Sequence, residues 1–303
     1  MKQPAGISIV IITYNRPEDM LELVQNIATL EHPELLSEIV IVNNKSTKSY
    51  QEVEEFIQGH PQLPFRYSIA PENLGVSRGR NHAIQKSTGE ILLFLDDDAL
   101  FRDKDVLPQV QAIFNEEEKA GIASFKVLYH STLEMQQTAF AHKEFEKRKD
   151  LHHFDTAYFV GCAHAIRRSV FKKTGYYPEN FFYGMEEYDL SYRAIIEGFK
   201  IVYDDRVVIL HKESPGGRLT NKEKLRGMWV NKSKVAWKYL PKKYYYSTAF
   251  LWSYEYLRKT SYDLGGFFKG WKQVNQIPAT EERKPLTDQA IAYLKKVKAR
   301  LNY

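Results

Sequence analysis

The sequence predicts an α/β fold, a mostly parallel sheet flanked by helices and followed by a helical C-terminal extension. Three observations predict it. Strand-like and helix-like segments alternate through the first two-thirds of the chain. Several strands are continuous apolar runs without alternation, which suits strands buried on both faces. After "ESPGGR" (213–218) helical spacing dominates and the charge changes sign.

Taken in order, "ISIVIITY" (7–14) reads as a buried strand. Asn15 is placed to cap a helix that Pro17 opens and that runs to about Leu30. "EIVIVNN" (38–44), "PFRYSIA" (64–70) and "EILLFLDDD" (90–98) are the next three strands. Between the last two, "GVSRGRNHAIQKS" (75–87) reads as a helix entered through glycine. A helix near 105–119 and a strand near 122–129 follow. The segment 130–155 has neither helical nor strand period and reads as an insertion over the sheet edge, the kind of loop that contacts substrate. "AHAIRRS" (163–169) reads as a strand, "EEYDLSYRAIIEG" (186–198) as a helix closed by Gly198, and "KIVYDDRVVILH" (200–211) as extended chain. The break near 217 divides a domain over 1–217 from a basic, aromatic-rich helical region over 218–303.

Hydrophobic and charged fractions of 43% and 27% are ordinary for a globular protein. The net charge of +5 conceals an asymmetry: 20 Lys and Arg face 7 Asp and Glu from Lys212 onward, against 23 and 31 before it. One cysteine, Cys162, rules out an intramolecular disulfide and fits a reducing compartment. The N-terminal stretch lacks the pattern of a signal peptide, and no run approaches the ~18 apolar residues of a spanning helix. A soluble cytoplasmic protein is expected. All four tryptophans lie in the basic region. Part of that pattern is core packing against the first domain. The rest suits the headgroup zone of an anionic membrane, so peripheral contact through 219–272 is expected at its inner face, best at 238–259. No nucleic-acid module accompanies the basic residues, and no nucleic-acid partner is expected.

Asp96, Asp97 and Asp98 follow a buried strand at the point where the chain leaves the sheet. Three adjacent carboxylates repel, so a compensating cation is expected, most economically a metal that bridges a ligand's phosphates. For capping a helix at 105, Asp103 is already available. The chain has no G-x-x-x-x-G-K-[ST] loop, and "TYNRPED" is unlike the glycine-rich turn of a dinucleotide fold.

The ordered motifs "VIITYNRPEDMLELVQNI", "EIVIVNNKST", "ENLGVSRGRNHAIQKSTGEILLFLDDDAL", "FFYGMEEYDLSYR" and "VILHKES" resemble glycosyltransferase family 2 over about residues 7–215. The resemblance implies the GT-A fold, with nucleotide-sugar binding over 1–100 and the acceptor and catalytic part over 101–217. It implies inverting transfer from a UDP- or dTDP-sugar to a hydroxyl of a glycan or lipid-linked acceptor in surface polysaccharide synthesis. It also implies the roles of particular residues. Thr13, Tyr14 and Asn15 stand where the nucleotide begins to bind. Asn43 replaces the family's base-reading aspartate, and its amide can donate and accept at a uracil or thymine edge. Asn73, Arg78 and Arg80 contact the donor or its acidic pocket. Asp96 holds the ribose, Asp97 belongs to the donor site, and Asp98 with His211 binds Mn²⁺ or Mg²⁺. Glu187 is the catalytic base, expected to stay ionised at a helix N-terminus, and Glu186 positions donor or acceptor. The "EEYDL…H" arrangement leans towards rhamnose- or galactofuranose-transferring relatives. Asp189 and Arg193, four apart on a helix, are expected to pair across one turn. The competing readings are a sugar nucleotidyltransferase, which would release pyrophosphate, and a non-catalytic sugar-nucleotide-binding protein.

Overall fold

The computed structural model describes residues 6–182, 184–214 and 220–299. The break near 217 therefore lies outside the described residues. In chain order the first half contains β1 (Ile7–Thr13), α1 (Pro17–Ala28), β2 (Leu36–Asn43), α2 (Gln51–Gly59), β3 (Phe65–Ile69), α3 (Gly75–Gln85), β4 (Ile91–Asp96), β5 (Ala99–Phe101), α4 (Val106–Glu116) and β6 (Ala120–Tyr129). There follow α5 (Phe145–Arg148), β7 (His153–Thr156), β8 (Ala163–Arg167), α6 (Arg168–Thr174), α7 (Glu186–Ile196) and β9 (Lys200–His211). The C-terminal helices are α8 (Asn221–Tyr239), α9 (Lys242–Lys259), α10 (Leu264–Thr280) and α11 (Asp288–Lys296).

The strands lie in the order β3-β2-β1-β4-β8-β6-β9-β5, with β7 along β9. The first four are parallel, β8 runs against β4 and β6, and β6 and β9 are parallel. From β1 the chain moves outward through β2 and β3, then crosses back to β4 on the other side of β1. That reversal opens a crevice at the carboxyl ends of β1 and β4, the place where open α/β sheets bind ligands. Thr13 and Asp96 stand at its two lips.

The apolar runs are buried on both faces. Ile7, Ile9 and Ile11 of β1 pack with Met20, Leu23 and Val24 of α1, while Val10 faces Ala83 and Ile84 of α3 in a second core. This is why those strands show no alternation. Several elements differ from the expectation. Asn15 does not cap α1: it adopts φ 58°, and its Oδ1 accepts from the Thr47 and Lys48 amides at 2.7 and 3.3 Å. An amide side chain in a left-handed turn satisfies the facing loop more readily than a helix end behind it. Pro17 does open the helix. The short elements β5 and α6 carry too little periodicity to be read from sequence, and α2 was not read although Val53, Phe56 and Ile57 recur at helical spacing. The 130–155 segment contains α5 and β7, and β7 pairs along β9.

The C-terminal helices share the core formed by α3 and α7. Trp229 is fully buried, donates to the Ala249 carbonyl at 2.9 Å and meets the rings of Tyr256, Phe267 and Trp271. Lys238 and Tyr239 reach Asp189 of α7 at 2.5 and 2.9 Å, and Arg193 pairs with its other oxygen at 2.7 Å. The Tyr293 hydroxyl donates to the Thr156 carbonyl at 2.7 Å, which brings α11 back over the sheet. Packing therefore explains much of the aromatic pattern.

Candidate active site

A cleft of ≈ 1220 Å³ lies over the crevice. Its floor is the carboxyl ends of β1 and β4, and one wall is the N-terminus of α7. The cleft brings together Thr13, Tyr14, Asn73, Arg80, Asp96, Asp97, Asp98, Glu186, Glu187 and His211. Residues from the 136–145 part of the insertion also line it.

Two arginines compensate the acidic run. Arg16 places Nη1 2.7 Å from Asp97 and 3.1 Å from Asp98, and its Nη2 donates to the Ser214 carbonyl at 3.0 Å. Arg80, only 4% exposed, places Nη2 3.1 Å from Asp96 and 2.8 Å from the Gly161 carbonyl. Its Nη1 lies 3.4 Å from Glu186 and 3.7 Å from Glu187. A single guanidinium thus joins the strand-end carboxylate to both glutamates of α7. Arg80 is committed to the acidic pocket itself, which accounts for a buried arginine at this position. Arg80 was expected at the donor or its acidic pocket and serves the pocket here; Arg16 was not assigned to these carboxylates from sequence. Arg16 stands inside the quoted "TYNRPED", yet nothing in local spacing predicts that it folds back onto residues some 80 positions away.

Protonation in the pocket follows from burial. Burial, with adjacent Glu187, pushes Glu186 up to about 8 against the pull of Arg80. Its Oε2 is buried without a hydrogen bond, which favours the protonated carboxyl over the carboxylate. Burial also raises Glu187, while Arg80 and the backbone at the start of α7 pull it back towards the ionised form expected of it. Burial pushes Asp97 up to about 7, while Arg16 and the Thr13 hydroxyl at 2.7 Å pull it back.

Asp98 and His211 meet where β5 pairs with β9, His211 Nε2 standing 3.5 Å from Asp98 Oδ1. The Gln136 side chain lies 2.9 Å from His211 Nδ1 and fixes the ring, so Nε2 points at the carboxylate. Octahedral ions with ~2.1 Å bonds hold neighbouring ligand atoms about 3 Å apart, so this pair fits a site with two protein ligands. Among the described residues no group of three or more His, Cys, Asp or Glu forms a metal site. The remaining ligands would have to come from elsewhere, such as phosphate oxygens.

Three expected residues stand away from the cleft wall. Arg78 pairs with Glu72 at 2.7 Å on the surface. Asn15 holds the 47–48 turn. Asn43 donates to the Tyr67 hydroxyl at 2.8 Å and accepts from the Ser46 amide at 2.8 Å, so its amide is used within the loop. Asn44, beside it, does line the cleft and ties Asn73 and Leu74 into place. Gly161 is a residue that sequence reasoning missed. A Cβ there would overlap Glu187 Oε1, so glycine lets the Glu187 carboxyl sit against the β8 approach. Only the folded arrangement reveals that need.

A parallel-to-mixed sheet with an acidic strand end at its switch point, faced by a helix that opens with glutamates, has the architecture of the GT-A class. Solved structures agree. The chain matches 98% of its length to GalNAc-T7 bound to UDP, GalNAc and Mn²⁺ at TM-score 0.68, covering 57% of that chain at 16% identity. It matches 97% of its length to the mannosyltransferase PcManGT of Pyrobaculum calidifontis, in complex with GDP-Man and Mn²⁺, at TM-score 0.59 and 16% identity, covering 80% of that chain. At such identity these likenesses show the fold. The protein belongs to glycosyl transferase family 2, whose model matches residues 8–175. It is therefore a glycosyltransferase. Among curated relatives, an uncharacterized Haemophilus influenzae protein is 30% identical over 176 residues, 57% of this chain and 92% of that one. The O-antigen chain rhamnosyltransferase WbaN of Salmonella anatum is 22% identical over 186 residues, 59% of this chain and 57% of its own length.

Proposed function

We propose that the protein transfers a sugar, with inversion, from a UDP- or dTDP-sugar to a hydroxyl of a glycan or lipid-linked acceptor in surface polysaccharide synthesis. One observation carries the reading: Arg80 holds Asp96, on the nucleotide side, and Glu187, on the acceptor side, within one cleft. Glu187 takes the acceptor proton as its oxygen attacks the anomeric carbon, and the bond to the diphosphate breaks on the opposite face. Its upward shift moves the base towards working pH, where general-base help accounts for ~10²–10⁴ in rate. Glu186, as a neutral acid, donates to a sugar hydroxyl and orients it. Thr13, Tyr14 and Asn73 position the nucleotide, and Asp96 accepts from the ribose.

Asp98 and His211 would hold Mn²⁺ or Mg²⁺, with the nitrogen favouring Mn²⁺. The ion would offset charge on the departing diphosphate. Mn²⁺ in the fold neighbours and the 3.5 Å Asp98–His211 approach support this. Arg16 favours a second reading, in which its guanidinium supplies that charge without an ion. Nucleotide binding measured with and without Mn²⁺ separates the two. Asp98→Asn abolishes Mn²⁺-dependent UDP binding in the first reading; in the second, UDP binds equally with and without Mn²⁺ in both the wild type and the variant.

Peripheral membrane contact draws its support from α9, where Tyr246, Phe250 and Tyr254 are 64%, 67% and 64% exposed at helical spacing. Lys242, Lys243 and Arg258 lie on the same helix. No helix among the described residues is long and apolar enough to cross a membrane. Failure to bind anionic liposomes at low salt would remove this part of the reading.

A further inference from the structure

Beside Arg80 lies a buried polar pair that the proposed mechanism does not use. His164 stands in β8 opposite Phe94 of β4, fully buried against the Phe94 and Phe159 rings. Its Nδ1 lies 3.0 Å from the Val160 carbonyl and its Nε2 2.8 Å from the Tyr177 hydroxyl. A carbonyl only accepts, so Nδ1 carries the proton. Burial, with Arg80 nearby, holds His164 well below its ordinary pKa and therefore neutral. Nε2 then accepts from Tyr177, and both ring nitrogens are satisfied. Tyr177 is itself buried, and Asn81 of α3 clamps its backbone, accepting from its amide and donating to its carbonyl at 2.9 Å each. The Arg80 guanidinium stands 5.6 Å from the Tyr177 ring centroid. These contacts close a circuit. Asn81 follows Arg80 on α3, Tyr177 joins Asn81 to His164, and His164 holds the Val160 carbonyl. The next carbonyl, that of Gly161, accepts from Arg80 Nη2 at 2.8 Å. Apolar side chains would fill this space with no polar atom to desolvate, whereas a fully satisfied polar network admits one arrangement.

We infer that Tyr177 and His164 are positioning residues for sugar transfer: their hydrogen bond fixes the Val160–Gly161 turn, and that turn holds Arg80 in place against Glu187. This deepens the proposed function and rests on its assignment of Glu187 as the base. Neither side chain lines the cleft, so their effect on the reaction passes through Arg80. Arg80 pulls Glu187 towards the ionised form, helped by a hydrogen bond from Glu186 and opposed by the charge of Asp96. A guanidinium that drifts from the Gly161 carbonyl weakens that pull and releases the Glu187 carboxyl.

Tyr177→Phe tests this, since it keeps the ring and leaves His164 Nε2 buried without a donor. In a crystal structure of the variant, Arg80 Nη2 should have left the Gly161 carbonyl. Its kcat should fall about tenfold while UDP still binds, because small misplacements of a catalytic group are costly. The midpoint of the rise in kcat with pH, where Glu187 ionises, should move to higher pH as Arg80's pull weakens. His164→Phe/Tyr177→Phe removes both polar partners, so stability should recover while the turn lacks its imidazole and kcat stays low. Arg80 unmoved in the Tyr177→Phe crystal, or wild-type kcat and pH midpoint in either variant, overturns the inference. Absence of transfer by the wild type strikes the parent reading instead, and the place of Arg80 in the Tyr177→Phe crystal still decides whether the pair positions it.

Discussion

Asp96 and Glu187 are held to the same guanidinium: Arg80 places one nitrogen 3.1 Å from the first and another 3.7 Å from the second. The carboxyl end of β4 and the N-terminus of α7 are thereby fixed relative to one another through a buried cation. Replacing Arg80 by Met leaves Asp96 and Glu187 without their counter-charge. We expect a loss of about 3–5 kcal/mol, read from urea unfolding, because one partner of a buried ionic cluster remains unpaired. A change below ~1 kcal/mol would mean that water, not Arg80, balances these carboxylates.

Gly161→Ala tests the placement of the base without touching its chemistry. The new methyl group displaces Glu187 Oε1. Misplacement on the 1 Å scale costs ~10² in turnover, so kcat should fall by about that factor while UDP affinity holds. Steady-state kinetics beside a UDP titration provide the check, and full turnover in the variant would show that Glu187 is not the base.

Stability should fall as pH rises from about 4.5 to about 8, through Glu186. Its folded state keeps the proton up to about 8, while the unfolded chain ionises near the ordinary value of 4.5. The native state therefore binds more protons across this window, and its stabilising contribution is full below the lower limit and lost above the upper one. Glu186→Gln should flatten that slope in urea unfolding measured across the window. An unchanged slope would place the titration elsewhere.

Much of the fold was legible because buried parallel strands leave an apolar signature that needs no partner information. β1, β2, β4, α3 and α7 all fall close to where their runs and glycines place them. The residues that meet in the cleft were legible where they sit in a local pattern, as in the Asp96–Asp98 run and the Glu186–Glu187 pair. Arg16, Gly161 and Gln136 were not, because each acts across the fold on residues far along the chain. Asn15, Asn43 and Arg78 mislead for the converse reason. Polar side chains beside a motif often serve the loop that carries them.

Arg16→Ala should expose the repulsion between Asp97 and Asp98, and a divalent ion should reverse the damage. We expect a lowered melting temperature that Mn²⁺ raises more than it raises the wild type's, since a ligand of the native state stabilises by mass action. Thermal melts over a Mn²⁺ series would show it. Equal Mn²⁺ shifts in the two proteins would indicate that arginine and metal do not share these carboxylates.

Asp189→Asn should weaken the attachment of the C-terminal helices. One carboxylate receives Arg193, Lys238 and Tyr239, joining α7 to α8. Leaving those cations without a charged partner costs about 3 kcal/mol, measurable in urea unfolding. A neutral effect would mean that the apolar contacts of Trp229 and its neighbours hold α8 unaided.

The most direct measurement is turnover of a panel of nucleotide sugars with Mn²⁺, comparing the wild type with Glu187→Gln. The predicted result is nucleoside diphosphate released from a UDP- or dTDP-sugar, accelerated by acceptor and lost by ~10²–10⁴ in the variant while UDP still binds. Release of pyrophosphate, or wild-type transfer rates in Glu187→Gln, would contradict it.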